Sequence, residues 1–297
     1  LIAKLYRHSS SMSITSSFVL TLSCTDRIGI VSAVSKFLSD RSCNIFEAAQ
    51  FNDPASNLFF MRVALKANAQ DLSLANFKSQ FVAVAESFGM EWDLVDAQQR
   101  MPALILVSKL GHCLHDLLLR WKTGLIPIDI KVIVSNHLDY QELVESHGIP
   151  FYHIPVTADT KDVAENSLLS LINQHRIELV VLARYMQVLS NDLCQKLAGR
   201  AINIHHSFLP GFKGAKPYYQ AYDRGVKLIG ATAHYVTGDL DEGPIIEQDV
   251  ERVDHAMSPE ALTLHGRDIE SVVLARAVKW HAERRVIPNG NRTVVFR

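Results

Sequence analysis

Residues 103–108 of the chain read Ala-Leu-Ile-Leu-Val-Ser, which is five apolar residues closed by a serine. A short apolar run of this kind is typical of a strand that is buried on both faces of a sheet. Residues 128–135 and 178–183 are predicted to be strands of the same kind, and amphipathic helical segments separate the three (113–121, 140–147 and 163–175). The alternation predicts an α/β domain over residues 103–297, with a doubly wound, mostly parallel sheet. Ligands of such sheets bind beyond the carboxyl ends of the strands.

The residues before this sheet predict a second, smaller domain. Strands and helices follow one another in the order βαββαβ, with a turn at 25–29 and a second helix over 68–88. We expect Asp26 to cap the first helix and Ile28 to lie on its apolar face. The resulting prediction is a disordered tail (1–15), a ferredoxin-like βαββαβ domain (16–96) and a linker (97–102) that ends in a proline.

The composition excludes several classes of protein. With 48% hydrophobic and 21% charged residues, the chain can bury a large core, and its net charge of −1 disfavours a nucleic-acid surface. No apolar stretch reaches the length of a membrane span. The four cysteines are widely spaced, which argues against a disulfide framework and favours a reducing compartment. We therefore expect a cytoplasmic protein, although the Ser-rich start with two basic residues leaves organellar import open.

Residues 201–210 form an apolar strand that ends in polar residues. On a strand, Asn203 and His205 point to the same side, where a carboxamide and an imidazole make a compact donor pair for a developing oxyanion. Farther along, Asp241 lies in the turn 239–244, which we expect to be exposed. From there its carboxylate could orient the imidazole or take a proton from water. Each of these patterns, taken alone, is more often structural than catalytic.

Together the motifs resemble the formyltransferase family, whose members use 10-formyltetrahydrofolate. Its signature, Asn-Ile-His-x-Ser-x-Leu-Pro and then Leu-Asp-x-Gly-Pro, is matched at residues 203–210 and 240–244. The resemblance implies that Asn203 and a protonated His205 stabilise the oxyanion, while Asp241 keeps His205 charged and fixes the attacking water. It implies no metal and no cofactor. The adjacent His205 and His206 would diverge rather than bind one ion, and His206 is expected to support the site or the core.

Residues 182–190 match the family as well and follow a predicted buried strand. Apolar residues in such a place usually belong to the core, but in formyltransferases this segment wraps the pterin ring, and residues 237–240 lie on the opposite wall. The folate-binding residues that the resemblance implies are Arg184, Tyr185, Met186, Val188, Leu189, Thr237, Gly238, Asp239 and Leu240.

The choice between water and an amine as acceptor depends on the loop after the first parallel strand. In the glycinamide ribonucleotide branch of the family this loop is rich in glycine and serine and binds a phosphate. Here only Gly111 remains, and residues 108–114, 230–235 and 290–293 resemble the formyltetrahydrofolate deformylase branch. The resemblance implies a hydrolase of one-carbon metabolism and purine biosynthesis that releases tetrahydrofolate and formate. The alternatives are formyl transfer to an amine such as glycinamide ribonucleotide, or a non-catalytic regulator that binds folate and an amino acid.

Three residues near these motifs are given lesser roles. Cys113 is expected to be a buried helix residue, His112 to reach the formate side of the site, and His234 to be structural.

The turn 26–29 and Asn44 at the start of the next strand resemble an ACT domain, a module that binds amino-acid effectors. The resemblance implies an effector site at Asp26, Gly29 and Asn44, with glycine or methionine as the family's effectors, and a homodimer or homotetramer. A purely structural or oligomerising role for this domain is the alternative.

Overall fold

The computed structural model describes residues 16–67, 73–211 and 217–297. The described residues fall into two compact units, one up to residue 99 and one from residue 100, each with its own core. The predicted disordered tail lies outside the described residues, as does the start of the second predicted helix (68–72). Within the described ranges, no helix is both long and apolar enough to cross a membrane.

The first unit has the predicted βαββαβ order. Its elements are β1 (Ser16–Thr25), α1 (Ile30–Ser39), β2 (Cys43–Asp53), β3 (Leu58–Ala67), α2 (Leu74–Phe88) and β4 (Glu91–Asp96). The strands form an antiparallel sheet in the order β2-β3-β1-β4. Phe37 of α1 packs edge-on against Phe77 and Phe81 of α2, and these rings join the apolar face of the sheet in one core.

The first helix of this unit starts later than the sequence predicted. Gly29 is the N-cap, with φ +100°, and no side chain caps the helix, which begins at Ile30. Asp26 instead accepts a hydrogen bond from the side chain of Asn52, so its predicted capping role is wrong. Ile28 lies before the helix and is fully exposed rather than on the apolar face. Gly29 adopts this left-handed conformation at no steric cost, and the turn there delays the start of the helix.

The second unit alternates strands and helices. Its elements are β5 (Met101–Val107), α3 (His112–Lys122), β6 (Ile128–Ser135), α4 (Gln141–Ser146), β7 (Phe151–His153), α5 (Lys161–Gln174), β8 (Leu179–Leu182), α6 (Asn191–Lys196), β9 (Ala201–His205), α7 (Pro217–Asp223), β10 (Leu228–Tyr235), β11 (Ile245–Arg252), α8 (Pro259–Ala282), β12 (Val286–Asn289) and β13 (Arg292–Val295). Within the described residues, a seven-stranded sheet has the order β11-β10-β9-β8-β5-β6-β7. Strands β5 to β9 pair in parallel, whereas β10 and β11 are antiparallel additions. The predicted α/β fold is confirmed.

Alternate residues of β5 face two separate cores. Ala103, Ile105 and Val107 pack on the side that holds α3 and α8. Leu104 and Leu106 pack on the other side with α5 and α6. A strand covered on both faces has no polar side to present, which explains the continuous apolar run of residues 103–107.

The element boundaries differ from prediction in a few places. Strand β5 begins at Met101, so Met101 and Pro102 belong to the sheet rather than to the linker. The predicted helices at 113–121, 140–147 and 163–175 agree with α3, α4 and α5 to within two residues. Helix α8, which packs against β9, β10 and α3, carried no prediction.

The strand order reverses between β5 and β8. From β5 the chain proceeds through β6 to β7 on one side, and then through β8 and β9 on the other. The crevice at the carboxyl ends of β5 and β8 is therefore a topological switch point, where α/β sheets bind ligands. The backbone N–H of Ser108, after β5, donates to the carbonyl of Arg184, after β8, at 3.3 Å. This bond joins the two sides of the crevice.

Candidate active site

The carboxyl ends of β8 and β9, the turn after β10 and helix α8 surround a cavity of about 520 Å³. This volume is in the usual range for small-molecule sites. The structure brings the three candidate catalytic residues and the nine candidate folate-binding residues together in the wall of this cavity. They are Asn203, His205 and Asp241, and Arg184, Tyr185, Met186, Val188, Leu189, Thr237, Gly238, Asp239 and Leu240.

Asn203 on β9 lies directly opposite His234 on β10 in the antiparallel register. The Nδ1 atom of His234 lies 2.9 Å from the carbonyl oxygen of Tyr235, which can only accept, so Nδ1 carries a proton. In the neutral ring, Nε2 is then an acceptor, and the Asn203 amide nitrogen lies 3.3 Å from it. One amide hydrogen of Asn203 is thereby directed to His234. The second is left to donate to a ligand in the cavity.

Both ring nitrogens of His205 face hydrogen-bond acceptors. Nδ1 lies 3.1 Å from a carboxylate oxygen of Asp241, and Nε2 lies 2.8 Å from the hydroxyl of Ser207. That hydroxyl donates its hydrogen to the carbonyl of Gly211 at 2.7 Å, so it accepts from His205. Two donating nitrogens are the hydrogen-bonding pattern of an imidazolium. A positive ring beside the Asn203 amide is well suited to a developing oxyanion.

The side chain of Asp241 is largely buried, so the prediction of an exposed loop carboxylate is wrong. Its side chain is 9% exposed, because the turn that carries it folds over His205 and His234. Burial by itself would raise the pKa of this carboxyl group, but the hydrogen bond from His205, together with the nearby His234 ring, outweighs burial and holds the pKa well below its usual range. Asp241 therefore remains an anion and can keep His205 charged.

His206, the neighbour of His205, also lines the cavity. The two ring centroids are 5.1 Å apart. Burial and then the nearby positive charge of Arg184 lower the pKa of His206 to about 4. His206 is therefore uncharged at neutral pH.

The apolar part of the wall is exposed rather than packed in the core. Met186, Val188 and Leu240 are 56%, 58% and 63% exposed, whereas Leu189 is buried. Exposed apolar side chains that line a cavity are suited to cover the faces of a flat ring. The backbone N–H of Met186 donates to the hydroxyl of Ser108 at 3.0 Å, which fixes this segment to the end of β5.

A buried ionic cluster closes the cavity on the side of α8. Glu270 Oε2 lies 2.7 Å from His112 Nε2 and 3.4 Å from Arg184 Nε, and Oε1 accepts from the Tyr218 hydroxyl at 2.7 Å. Burial opposes the ionisation of Glu270, but the hydrogen bond from His112 and the charge of Arg184 outweigh it and lower the pKa. Glu270 is therefore a buried anion with an arginine beside it.

The described residues also bring possible metal ligands of His112, Cys113 and Glu270 within 4.8 Å of one another. Cys113 is a buried helix residue, as predicted, and burial followed by the charge of Glu270 raises the pKa of its thiol. The thiolate that a metal ion needs is thus disfavoured. Glu270 also lies beside the positively charged Arg184, so these contacts favour an ion cluster over a metal site.

Two residues of the site were missed from the sequence. His234 was expected to be structural, yet it touches Asn203 and its Nε2 lies 3.6 Å from Asp241. The available signal was that His234 lies in the predicted strand that follows the Asn203 strand along the chain. Glu270 carried no prediction, and with Arg267 and Asp268 just before it, it resembles a residue of a solvated helix face.

The candidate effector residues of the first unit are not all close together within the chain. Asp26 and Gly29 follow the carboxyl end of β1, where the N–H of Asp26 donates to the carbonyl of Asn57. Asn44 pairs with Lys66, which pairs with Ser17 near the start of β1. At about 3.3 Å per residue, roughly 30 Å of strand separates the two ends.

Comparison with known proteins agrees with this geometry. The family profile described as formyl transferase matches residues 101–278. The formyltetrahydrofolate deformylase of Corynebacterium sp. (strain P-1) is 52% identical over 279 residues, which are 94% of this chain and 98% of that protein. The crystal structure of the deformylase from Burkholderia mallei superposes with a TM-score of 0.91 at 56% identity, over 95% of this chain and 100% of that one. Glycinamide ribonucleotide transformylase 1 from Symbiobacterium toebii reaches a TM-score of 0.64 at 28% identity, over 67% of this chain and 95% of that chain.

The doubly wound sheet, with an amide, an imidazole and a carboxylate beside its crevice, places the protein in the formyl transferase class. Sequence identity to deformylases extends over nearly the whole chain and narrows the class further. The chain belongs to the formyltetrahydrofolate deformylase family.

Proposed function

We propose that the protein hydrolyses 10-formyltetrahydrofolate to tetrahydrofolate and formate. One observation carries the proposal. The Asn203 amide, the doubly donating His205 and the ionised Asp241 meet at a cavity that has an exposed apolar wall. This arrangement provides donors for an oxyanion, a fixed carboxylate for water and a surface for a flat heterocycle.

The reaction begins when a water oxygen attacks the formyl carbon and the C=O electron pair moves onto oxygen. The free N–H of Asn203 and the charge of His205 stabilise this oxyanion. Asp241 accepts a hydrogen bond from the water and orients it. Because its pKa is held low, Asp241 is a weak base, and we assign it positioning and charge stabilisation rather than proton storage.

Release of the amine requires one proton transfer to N10. The attacking water, once it is bonded to carbon, gives one of its protons to N10, while His205 keeps both ring protons in its hydrogen bonds to Asp241 and Ser207. The C–N10 bond then breaks with its electron pair on nitrogen. Formic acid is the other product and ionises to formate. The overall change is the addition of one water molecule across the formyl C–N bond, without a metal or cofactor.

Water is favoured over an amine acceptor by the loop after β5. A Cβ atom on Gly111 would lie 2.2 Å from the ring of Tyr140, so that ring covers the remaining glycine of the loop. The Tyr140 hydroxyl also donates to the carbonyl of Lys109 at 2.9 Å. A phosphate bound at this loop would need the same space. The Tyr140 ring therefore supports hydrolysis over transfer to a phosphorylated amine.

The decisive experiment is turnover with no amine present. Purified protein and 10-formyltetrahydrofolate in buffer are expected to release equal amounts of tetrahydrofolate and formate, followed by absorbance and by a formate assay. The same reaction with glycinamide ribonucleotide should run no faster. Turnover only after the amine is added would support the transferase, and tight folate binding with no turnover in either case would support the regulator.

We further propose that the first unit binds an amino acid and assembles the protein into a homodimer or homotetramer. Exposed Ile28, Val31, Phe46 and Phe51 on this unit support an interface between copies. Asn44 and Asp26 lie at opposite ends of the sheet within one chain, so an effector site that uses both residues needs two copies of the chain. Light scattering of the full chain, with calorimetric titration of glycine and methionine, tests both ideas. A monomer that takes up neither amino acid would contradict them.

A cytoplasmic location is proposed on the four cysteines, none of which is paired in a disulfide. Fractionation of the native host, with a reducing-compartment marker as reference, tests this location. Recovery of the protein from an oxidising compartment would contradict it.

A further inference from the structure

Two arginines that line the cavity have a buried donor with no hydrogen-bond partner in the described part of the chain. The atoms are Nε of Arg184 and Nε of Arg267. A buried guanidinium donor without an acceptor is unfavourable, so such an atom in a cavity wall indicates a missing ligand. The Arg184 side chain is only 8% exposed. It was expected to bind folate, and its anionic neighbour is Glu270, whose carboxylate oxygen lies 3.4 Å from Nε without making a hydrogen bond.

The backbone holds Arg184 in an unusual conformation. Its φ is +62°, a region that non-glycine residues seldom adopt. Backbone outliers of this kind persist at functional sites because the surrounding structure enforces them. Here the bond from the Ser108 N–H to the Arg184 carbonyl is part of that restraint. The side chain is thus directed into the cavity next to the end of β5.

Glu270 is the anion beside Arg184, but several other donors share its carboxylate. Its carboxylate already accepts from Tyr218 and contacts His112, and it lies 3.4 Å from Arg184 Nε. Arg267 precedes Glu270 by three residues on α8, so both project from the same side of the helix. Arg267 thus adds a second guanidinium group to the cavity wall. This end of the cavity has an excess of positive charge in partly buried surroundings, where an anion is stabilised more than in water.

We propose that Arg184 and Arg267 form a binding subsite for formate, the carboxylate that leaves the reaction. The inference rests on the proposed function, since formate is its product. A planar carboxylate matches the paired donors of a guanidinium group, and formate is the smallest such ligand. The subsite adjoins the reacting atoms, because Arg184 is close enough to His206, the neighbour of His205, to influence it electrostatically.

The test is a titration of the full chain with sodium [13C]formate, followed by broadening of the carbon resonance, at constant ionic strength. We expect saturable binding to the unmodified protein. Arg184→Gln and Arg267→Gln should each weaken it at least tenfold. Arg184→Gly is a second variant at the strained position, because glycine accepts φ +62° and so removes the guanidinium without backbone strain. Arg276→Gln is the matched control, since Arg276 lies on α8 in an exposed pair with Asp249.

Formate inhibition of turnover gives a second readout. In the Arg184 variants the inhibition constant for formate should rise at least tenfold, while the control variant keeps the original value. Equal inhibition of all the proteins would overturn the subsite, and so would phosphate binding more tightly than formate. If the protein hydrolyses 10-formyltetrahydrofolate but does not bind formate, this inference fails alone. Absence of hydrolysis refutes the proposed function. If formate still binds saturably to such a protein through the two arginines, the anion site remains, but formate is not a product of the protein's reaction.

Discussion

Gly243 packs so closely against Tyr235 that a Cβ atom on Gly243 would lie 1.7 Å from the Tyr235 carbonyl oxygen. The two residues close the turn between β10 and β11, where the N–H of Tyr235 donates to the carbonyl of Pro244 at 2.9 Å. Asp241 is carried by this turn, with φ +59°. The position of the carboxylate therefore depends on the absence of a side chain two residues later.

Gly243→Ala should reduce kcat by at least about a hundredfold, because the methyl group pushes the turn and Asp241 away from His205. Steady-state kinetics of the purified variant measure the effect. The matched control is Gly225→Ala, which has open space around its Cβ but a left-handed φ of +61°. That variant should lose some thermal stability and keep its activity. Equal kinetic losses in both variants would point to general destabilisation.

Asp241→Asn should lower turnover by at least about a hundredfold and also lower Tm. From the sequence, an exposed carboxylate would be expected to leave folding nearly normal when changed. Because Asp241 is buried against His205, its loss leaves an imidazolium without its counter-ion, and breaking a buried pair is strongly destabilising. Asp249→Asn, at an exposed ion pair, serves as the control for thermal denaturation. An unchanged Tm for Asp241→Asn would show that His205 is uncharged in the free protein.

His234→Ala should reduce kcat by roughly tenfold to a hundredfold with little change in KM, because the Asn203 amide loses the acceptor that orients it. The double variant with Asn203→Ala should lose little more than Asn203→Ala alone, since the two residues act as one unit. His265→Ala is the control, at an exposed position paired with Glu251. Additive losses in the double variant would assign His234 a role independent of Asn203.

Stability should fall as the pH is lowered from about 6.5 to about 4. His206 has a pKa of about 4 in the folded chain against 6.5 in the unfolded chain, so over this window the unfolded chain binds the extra proton. The slope from one such group is up to about 1.4 kcal/mol per pH unit. His281, whose pKa is lowered to about 3 by burial and then by Arg284, contributes in the same direction. Asp241 and Glu270 act in the same direction at lower pH, because their pKa values are lowered in the folded chain and the unfolded chain therefore takes up protons first.

Denaturant titrations at several pH values test this slope. His206→Gln has no titrating group at position 206. It should flatten the pH dependence of the free energy of unfolding between pH 6.5 and pH 4 without abolishing it. An unchanged slope would mean that His206 titrates alike in the folded and unfolded chains.

The sequence predicted the parts of this protein that local patterns determine. The run at 103–107 is apolar because both of its faces are covered, and the order of strands and helices followed from such runs. Asn203 and His205 were recognised because two-residue spacing on a strand is a local rule. Strand β10, which carries His234, was also predicted, but its pairing with β9 was not.

What the sequence did not predict depends on contacts between distant segments. His234 joins the site only through the register of β10 against β9, and Glu270 only because α8 packs across the same crevice. The burial of Asp241 arises because its turn folds over two histidines on β9 and β10. The start of α1 at Ile30 depends on a left-handed Gly29 and on Asp26 pairing with Asn52 instead of the helix. Composition and periodicity carry no information on such partners.

The pairing of β9 with β10 makes chemistry depend on strand alignment. Side chains alternate between the two faces of a sheet, so a slip of one residue would turn His234 away from Asn203. Insertions within either strand should therefore abolish turnover even where the fold survives, whereas added length between the strands leaves the alignment intact. Catalytic rate in this protein is thus a sensitive report of sheet register.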